Sequence, residues 1–280
     1  MPDSGEDALR DVRLVRFAEA ESAAADDAVA REEPLEIQIG PVPVAVVMRT
    51  PGHDEELALG FLVTERVVRS AAEVASVRHC TVAPDPEAAD NVIRATLAPG
   101  VAVDFESLRR NLYASASCGI CGKATIENVL ATAPPLDDPA RFPADLFYDL
   151  PPRLHQAQEV FARTGGLHAA ALFDAGGALQ VLREDVGRHN AVDKVVGWAL
   201  RAGRMPLAGH VLLVSGRISY EIAQKALAAR IPVVAAVSAP SSLAVELADG
   251  AGMTLVGFLR GRGFNVYGNR ERVVGPPPPS

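Results

Sequence analysis

The chain has 280 residues, 49% hydrophobic and 22% charged, the composition of a folded globular protein long enough to bury a large core in one or two domains. No run reaches the about 18 apolar residues that a membrane helix needs, and the acidic opening MPDSGEDALRDVRLVRFAEAE fits neither a secretory signal nor a transit peptide, so the expected location is the cytoplasm. A formal charge of −8 argues against a role in holding extended nucleic acid, and three cysteines are too few for a disulfide framework.

Residues 1–30, rich in Ala, Asp and Glu, predict a flexible tail. The segment LEIQIGPVPVAVVMRT, Leu35 to Thr50, reads as two apolar strands around a Gly-Pro turn. After Thr50-Pro51-Gly52, HDEELALGFLVTERVV predicts a helix whose first turn carries acidic residues, at the positive end of the helix dipole. Short strands at Val74–Val82, Asn91–Leu97 and Val101–Phe105 complete an α+β part over residues 31–117. Residues 118–150 hold a Cys-x-x-Cys segment and a stretch rich in Pro and Asp that reads as a linker or a long ordered loop; the spacing of Ala124, Ile126, Val129 and Leu130 predicts a helix starting just after Cys121.

From residue 151 to 272 strands and helices alternate. A helix at Arg153–Arg163 leads into strands HAAALFD and ALQVLRED, joined through Ala175-Gly176-Gly177. Helices at Asn190–Leu200, Tyr220–Arg230 and Ser241–Ala248 then separate the strands HVLLVS, PVVAAVS and MTLVGF. Residues 273–280 read as a second flexible tail, and no internal repeat is visible. The alternation predicts an α/β domain with a mostly parallel sheet covered on both faces. Ligands in such sheets bind beyond the carboxyl ends of the strands, so the polar clusters there are the candidate sites.

The sharpest chemical feature is Ser117-Cys118-Gly119-Ile120-Cys121-Gly122-Lys123. Two thiols at this spacing can approach one another or share a metal, and a helix start with Lys123 nearby favours thiolate over thiol. A closed zinc site wants about four ligands, usually from two paired motifs, and here there is one pair and a distant Cys80, which reads as a small buried apolar residue. His53-x-Glu55 followed by Cys118-x-x-Cys121 superficially matches the zinc deaminase signature, but Ser117 stands where that signature has Pro and the halves are far apart. A thioredoxin-like exchanger lacks its strand immediately before the pair.

Four polar clusters follow strands. Arg183-Glu184-Asp185-Val186-Gly187-Arg188-His189-Asn190 is too dense in Arg, His and Asp for mere helix capping. Ser215-Gly216-Arg217-Ile218-Ser219 places hydroxyls and an arginine at a helix start, a natural anion site, and Ser238-Ala239-Pro240-Ser241-Ser242 has the same form. Phe258-Leu259-Arg260-Gly261-Arg262-Gly263-Phe264-Asn265-Val266-Tyr267 interleaves arginines with Gly and aromatics, suited to phosphates and a stacked base. Neither a Walker loop nor a Rossmann glycine motif is present, so the expected ligand is a nucleotide or polyanion held in another way.

The set SCGICGK, TGGLHAAAL, EDVGRHNAVDK, SGRISYE, SAPSSLAVELA and TLVGFLRGRGFNVY resembles the FdhD family of formate dehydrogenase accessory sulfurtransferases over about residues 35–270. The resemblance implies a cytidine-deaminase-like three-layer domain preceded by a smaller α+β part, and a homodimer. It implies a sulfur carrier that takes persulfide sulfur from a cysteine desulfurase and transfers it to the bis(molybdopterin guanine dinucleotide) cofactor of a client formate dehydrogenase. By motif position Cys118 is then the persulfide carrier and Cys121 its relay. The cofactor, as bound substrate, would be held by Phe258, Leu259, Arg260, Gly261, Arg262 and Gly263, with Arg217 and the loop of Arg188, His189 and Asn190. Deaminase metal ligands would fall near Arg188-His189-Asn190 and Ser215-Gly216-Arg217, neither of which has the required cysteines, so no bound metal is expected. The competing reading is a non-catalytic chaperone that binds and delivers the dinucleotide without moving sulfur.

Overall fold

The computed structural model describes residues 7–19, 21–80, 90–106, 108, 129–130 and 133–275. Cys118, Cys121, Lys123 and the start of the helix expected after Cys121 lie outside the described residues.

The main sheet is built from β8 (His168–Phe173), β9 (Leu179–Asp185), β10 (Val211–Val214), β11 (Val233–Ala236), β12 (Thr254–Arg260) and β13 (Gly263–Gly268), in spatial order β13-β12-β11-β10-β8-β9. It is mixed, which corrects the expectation of a mostly parallel sheet. Only β10–β11 and β11–β12 are parallel; β8–β9, β8–β10 and β12–β13 are antiparallel. Tight turns impose this on β8–β9 and β12–β13, because strands joined by a few residues can only run in opposite directions. At the first turn Asp174 Oδ1 accepts from the N–H groups of Gly176 and Ala178, and Gly177 takes φ +78°. Strand β13 falls in the cluster of arginines, glycines and aromatics after MTLVGF, where no strand is expected from sequence.

Each sheet face has its own cover, and side-chain alternation assigns it. Ala170, Leu172, Leu212, Val214, Val234, Ala236 and Leu255 face a core shared with α4 (Arg188–Arg201), α5 (Tyr220–Ala228) and α6 (Ser242–Ala251). Ala169, Ala171, Phe173, Val211, Leu213, Val233, Ala235 and Val256 face Phe147, Leu150 and Leu154 of α2 (Ala144–Ala157). The helix expected at Arg153–Arg163 is two helices, α2 and the short α3 (Glu159–Thr164). Pro151 and Pro152, the end of the Pro-rich stretch, sit inside α2, because burial of those three apolar side chains outweighs the lost backbone hydrogen bonds.

A second sheet, order β4-β3-β6-β5, comprises β3 (Glu33–Ile39), β4 (Val42–Arg49), β5 (Val74–His79) and β6 (Val92–Leu97). The strand expected at Val101–Phe105 is absent: residues 101–104 are irregular, and Val103 and Phe105 pack singly against the core. Between the two sheets lies α1 (Asp54–Thr64), crossed directly on α4. The crossing is backbone to backbone: a Cβ on Gly60 would lie 1.7 Å from the Asp193 carbonyl oxygen, and one on Gly197 would lie 1.8 Å from that of Glu56. Leu35, Ile37 and Ile93 of the second sheet thereby share one hydrophobic core with Val192 and Val195 of α4, so the described residues of the parts expected at 31–117 and 151–272 pack on one another.

Residues 9–30, expected as a flexible tail, form an antiparallel ribbon of β1 (Leu9–Ala18) and β2 (Glu21–Ala30), closed at its base by Arg31 N–H donating to Ala8 O. Its side chains are exposed or half-buried, Phe17 and Val15 among the exposed ones, and that polarity is what made the segment read as a tail. Of the stretch expected as a linker or a long ordered loop, residues 133–141 form an ordered strap, in which Asp138 accepts from Gly209 N–H and, through its carbonyl, from Arg272, while 144–150 are helical in α2. A short parallel pair, β7 (Phe142–Pro143) with β14 (Val273–Val274), fastens the start of the segment expected as a tail at 273–280; residues 276–280 lie outside the described residues.

Candidate functional site

Strands β9, β10, β11 and β12 end at one edge of the main sheet, and the antiparallel β8 begins there. This brings together loops that are far apart in sequence: Asp185–Asn190, Ser215–Ser219, Ser238–Ser242 and the β12–β13 turn.

Much of the first loop is structural. Asp185 is fully buried and pairs with Lys194 Nζ at 2.7 Å. It also accepts from the N–H groups of Thr50 and Gly187 and from Asn190 Nδ2. Asn190 gives a second amide hydrogen bond to Met48 O, and Lys194 Nζ donates to Thr50 O. Asn190, a candidate ligand contact, is therefore buried and turned inward, clasping the Thr50-Pro51 segment to α4. Arg188 is exposed at the helix start, and His189 lies beside it, half-buried. Asp193, one turn on, pairs with buried Lys225 at 2.9 Å and accepts from Thr64 Oγ1 at 2.8 Å. Burial alone would lower the Lys225 pKa, but Asp193 and Glu65 outweigh it, and the ammonium is held charged.

The hydroxyl loops also have local duties. Ser219 and Ser241 cap α5 and α6, accepting from Ile222 and Ala244 N–H. Ser215 Oγ accepts from Ala169 N–H at 2.9 Å. The two loops are zipped together by Ile218 N–H to Ala239 O and Ser241 N–H to Ile218 O. Arg217 stands exposed on this frame.

At the β12–β13 turn, Arg260 donates from Nε to Val237 O at 3.0 Å, which points its guanidinium across the end of β11 and leaves its two terminal nitrogens for a ligand. Leu259 is buried on the α2 face, so it anchors the turn rather than facing a ligand. Phe258 takes φ +57° and is 43% exposed, an unusual conformation for a bulky residue and an unusual exposure for an aromatic one. Gly261 takes φ +54°, as the first position of a two-residue hairpin turn requires, and Gly263 pairs with Arg260. Arg262 lies over the Tyr148 ring of α2, 5.0 Å from its centroid.

Histidines add a titratable element. Burial pushes His189 down to about 4, with Arg188 and Lys225 contributing, so its imidazole is neutral at neutral pH. Its Nε2 is buried and has no hydrogen-bond partner. His168, at the start of β8, lies against Gly216 and is lowered too, first by burial and then by Arg188. Burial works to raise the Glu221 carboxyl, but the Ser219 hydrogen bond and the nearby charge hold it below its ordinary value. His168 and Glu221 were not picked out from sequence. No local signal marks His168, since a strand's first residue reaches the ligand end only if that strand runs antiparallel to its neighbours.

His53 occupies the left-handed position before α1, with Nδ1 3.6 Å from Glu56 Oε2. Among the described residues no group of three or more His, Cys, Asp or Glu side chains gathers to hold a metal. Likewise, no helix among them is long and apolar enough to cross a membrane.

Fold and site together define an α/β protein whose exposed arginines gather on loops at one end of a mixed sheet. The chain belongs to the FdhD/NarQ family, whose model matches residues 30–274. It is 52% identical to the sulfur carrier protein FdhD of Streptomyces avermitilis over 266 residues, 94% of each chain. It is 52% identical to that of Mycobacterium tuberculosis, covering 89% of this chain and 92% of the relative. With that of Sulfurisphaera tokodaii it shares 42% identity over 95% and 99% of the two chains. A crystal structure from Desulfotalea psychrophila, described as a formate dehydrogenase accessory protein, superposes with a TM-score of 0.75 at 25% identity, covering 95% of this chain and all of that one.

Proposed function

We propose that this protein is a persulfide sulfurtransferase that matures a formate dehydrogenase in the cytoplasm. Cys118 thiolate attacks the outer sulfur of a cysteine desulfurase persulfide, forming a new S–S bond and releasing the donor thiolate. Cys121 relays or protects the loaded sulfur. The acceptor is the bis(molybdopterin guanine dinucleotide) cofactor, bound as substrate: the outer sulfur replaces an oxo ligand of its metal as sulfido while Cys118 leaves as thiolate, and a thiol reductant, oxidised to a disulfide, supplies the two electrons and two protons with which the oxo oxygen departs as water.

The observation that carries this reading is the placement of exposed Arg188, Arg217 and Arg260 on loops at the carboxyl end of the main sheet, where exposed Phe258 also lies. Guanidinium groups suit phosphate oxygens, and an exposed ring suits a base. Relatives named sulfur carrier proteins, matching almost end to end, support the transfer chemistry. The strand order β9-β8-β10-β11-β12, with helices on both faces, is consistent with a cytidine-deaminase-like core. We assign a homodimer on family resemblance alone.

The test is the intact mass of the protein after incubation with a cysteine desulfurase and cysteine, with and without reductant. A reducible gain of one sulfur, about 32 Da, that is absent in Cys118→Ala supports the carrier role. No gain, with a desulfurase that loads a control acceptor, overturns it in favour of a delivery chaperone.

A further inference from the structure

Arg262 occupies the tip of a two-residue turn, where nothing in the turn restrains a long side chain. Among the described residues no hydrogen bond or ion pair holds its guanidinium. An arginine left free loses rotamer freedom when it grips a ligand, and affinity falls by that cost. Here the guanidinium carbon instead rests 5.0 Å above the Tyr148 ring centroid, within cation–π range. Tyr148 is itself held, its ring 5.6 Å from Phe264 of β13, and Phe264 lies 5.4 Å from Phe147. Phe147 is fully buried between α2 and the sheet. A line of aromatic contacts thus runs from the core to the turn.

The geometry points to Tyr148 as the positioning residue that presets Arg262 for a phosphate of the guanine dinucleotide, an inference that rests on the binding role proposed above for the β12–β13 turn. A cation–π contact uses the charge of the guanidinium and satisfies none of its five N–H donors, so the contact that fixes Arg262 leaves those donors for a phosphate. Arg260 is preset in a complementary way, tethered by Nε to Val237 O with its terminal nitrogens open. The turn therefore presents two guanidinium edges, each steadied by a contact that ligand binding does not displace. Only the Tyr148 ring is required for this, not its hydroxyl.

The experiment is calorimetric binding of guanosine diphosphate to the full-length protein and to Tyr148→Phe, Tyr148→Ala, Arg262→Ala and the Tyr148→Ala/Arg262→Ala pair, with thermal melts to check that each is folded. Tyr148→Phe is expected to bind as the wild type does. Tyr148→Ala is expected to weaken binding about two- to fivefold, Arg262→Ala more, and the double variant no further than Arg262→Ala. Unchanged or tighter binding by Tyr148→Ala, or additive losses in the double variant, overturns the positioning role while leaving the binding site in place. A wild type that takes no guanosine diphosphate overturns both the site and the role.

Discussion

Lys194 Nζ lies 2.7 Å from Asp185 Oδ2, with the two side chains 1% and 0% exposed. This buried ion pair ties the start of α4 to the end of β9 and, through the Lys194–Thr50 and Asp185–Thr50 hydrogen bonds, to the segment before α1. Without Lys194, the Asp185 carboxylate would be left buried without its countercharge. Lys194→Met is expected to cost about 3–5 kcal/mol, read as a lowered denaturation midpoint. Replacing both residues, Asp185→Leu with Lys194→Met, is expected to recover part of that loss.

The α1–α4 crossing makes Gly60 and Gly197 intolerant of any side chain, since the Cβ would overlap backbone rather than a side chain that could swing away. Gly60→Ala and Gly197→Ala are each expected to destabilise by about 1–3 kcal/mol or more. Gly100→Ala is a different case: φ +90° strains the backbone, but no atom lies within 4 Å of the new carbon. Urea unfolding of the three variants separates overlap from strain, and the two crossing positions are expected to lose more.

Acid stability carries the mark of His189. Its pKa is pushed from 6.5 down to about 4 in the folded state, so the unfolded chain binds the proton more readily between those values. Stability is therefore expected to fall as pH drops from about 6.5 to about 4, by up to about 3 kcal/mol from this residue, and to change little from it above 7. His189→Gln is expected to flatten that limb of a stability–pH curve. His168, lowered in the same direction, adds to the slope that remains.

Arg260 is the arginine of the turn with a fixed anchor, and Arg217 stands on the neighbouring loop with an exposed side chain. If both meet phosphates, Arg260→Ala is expected to weaken guanosine diphosphate binding about tenfold or more, the scale of a charge-assisted hydrogen bond. Arg260→Ala and Arg217→Ala are each expected to reduce the salt dependence of binding, measured as the slope of affinity against ionic strength. Arg260→Lys recovers the charge but not the tether together with two open donors, and is expected to restore binding only in part.

Local patterns reach far into this fold. The strand and helix runs of residues 168–260 are where their apolar periods place them, because each element has one buried face whose spacing betrays it. The Cys-x-x-Cys pair, the arginines of LRGRG and the family itself are legible in the amino-acid order, since reactive groups and tight turns depend on neighbours a few positions away. What the order could not show is which of those polar residues point outward. In EDVGRHN, Asp185 and Asn190 turn inward to hold Thr50 and Met48, about 140 residues earlier, while Arg188 remains exposed. A polar residue facing solvent and one satisfied inside a core have the same local sequence signal, and only the distant partner distinguishes them. The same holds for His168 and Tyr148. One reaches the ligand end because β8 runs against β10, and the other meets Arg262 because α2 folds over the far face of the sheet. Strand direction and helix placement are decided by which long-range contacts bury the most apolar surface, and that competition is settled only when the whole chain is packed.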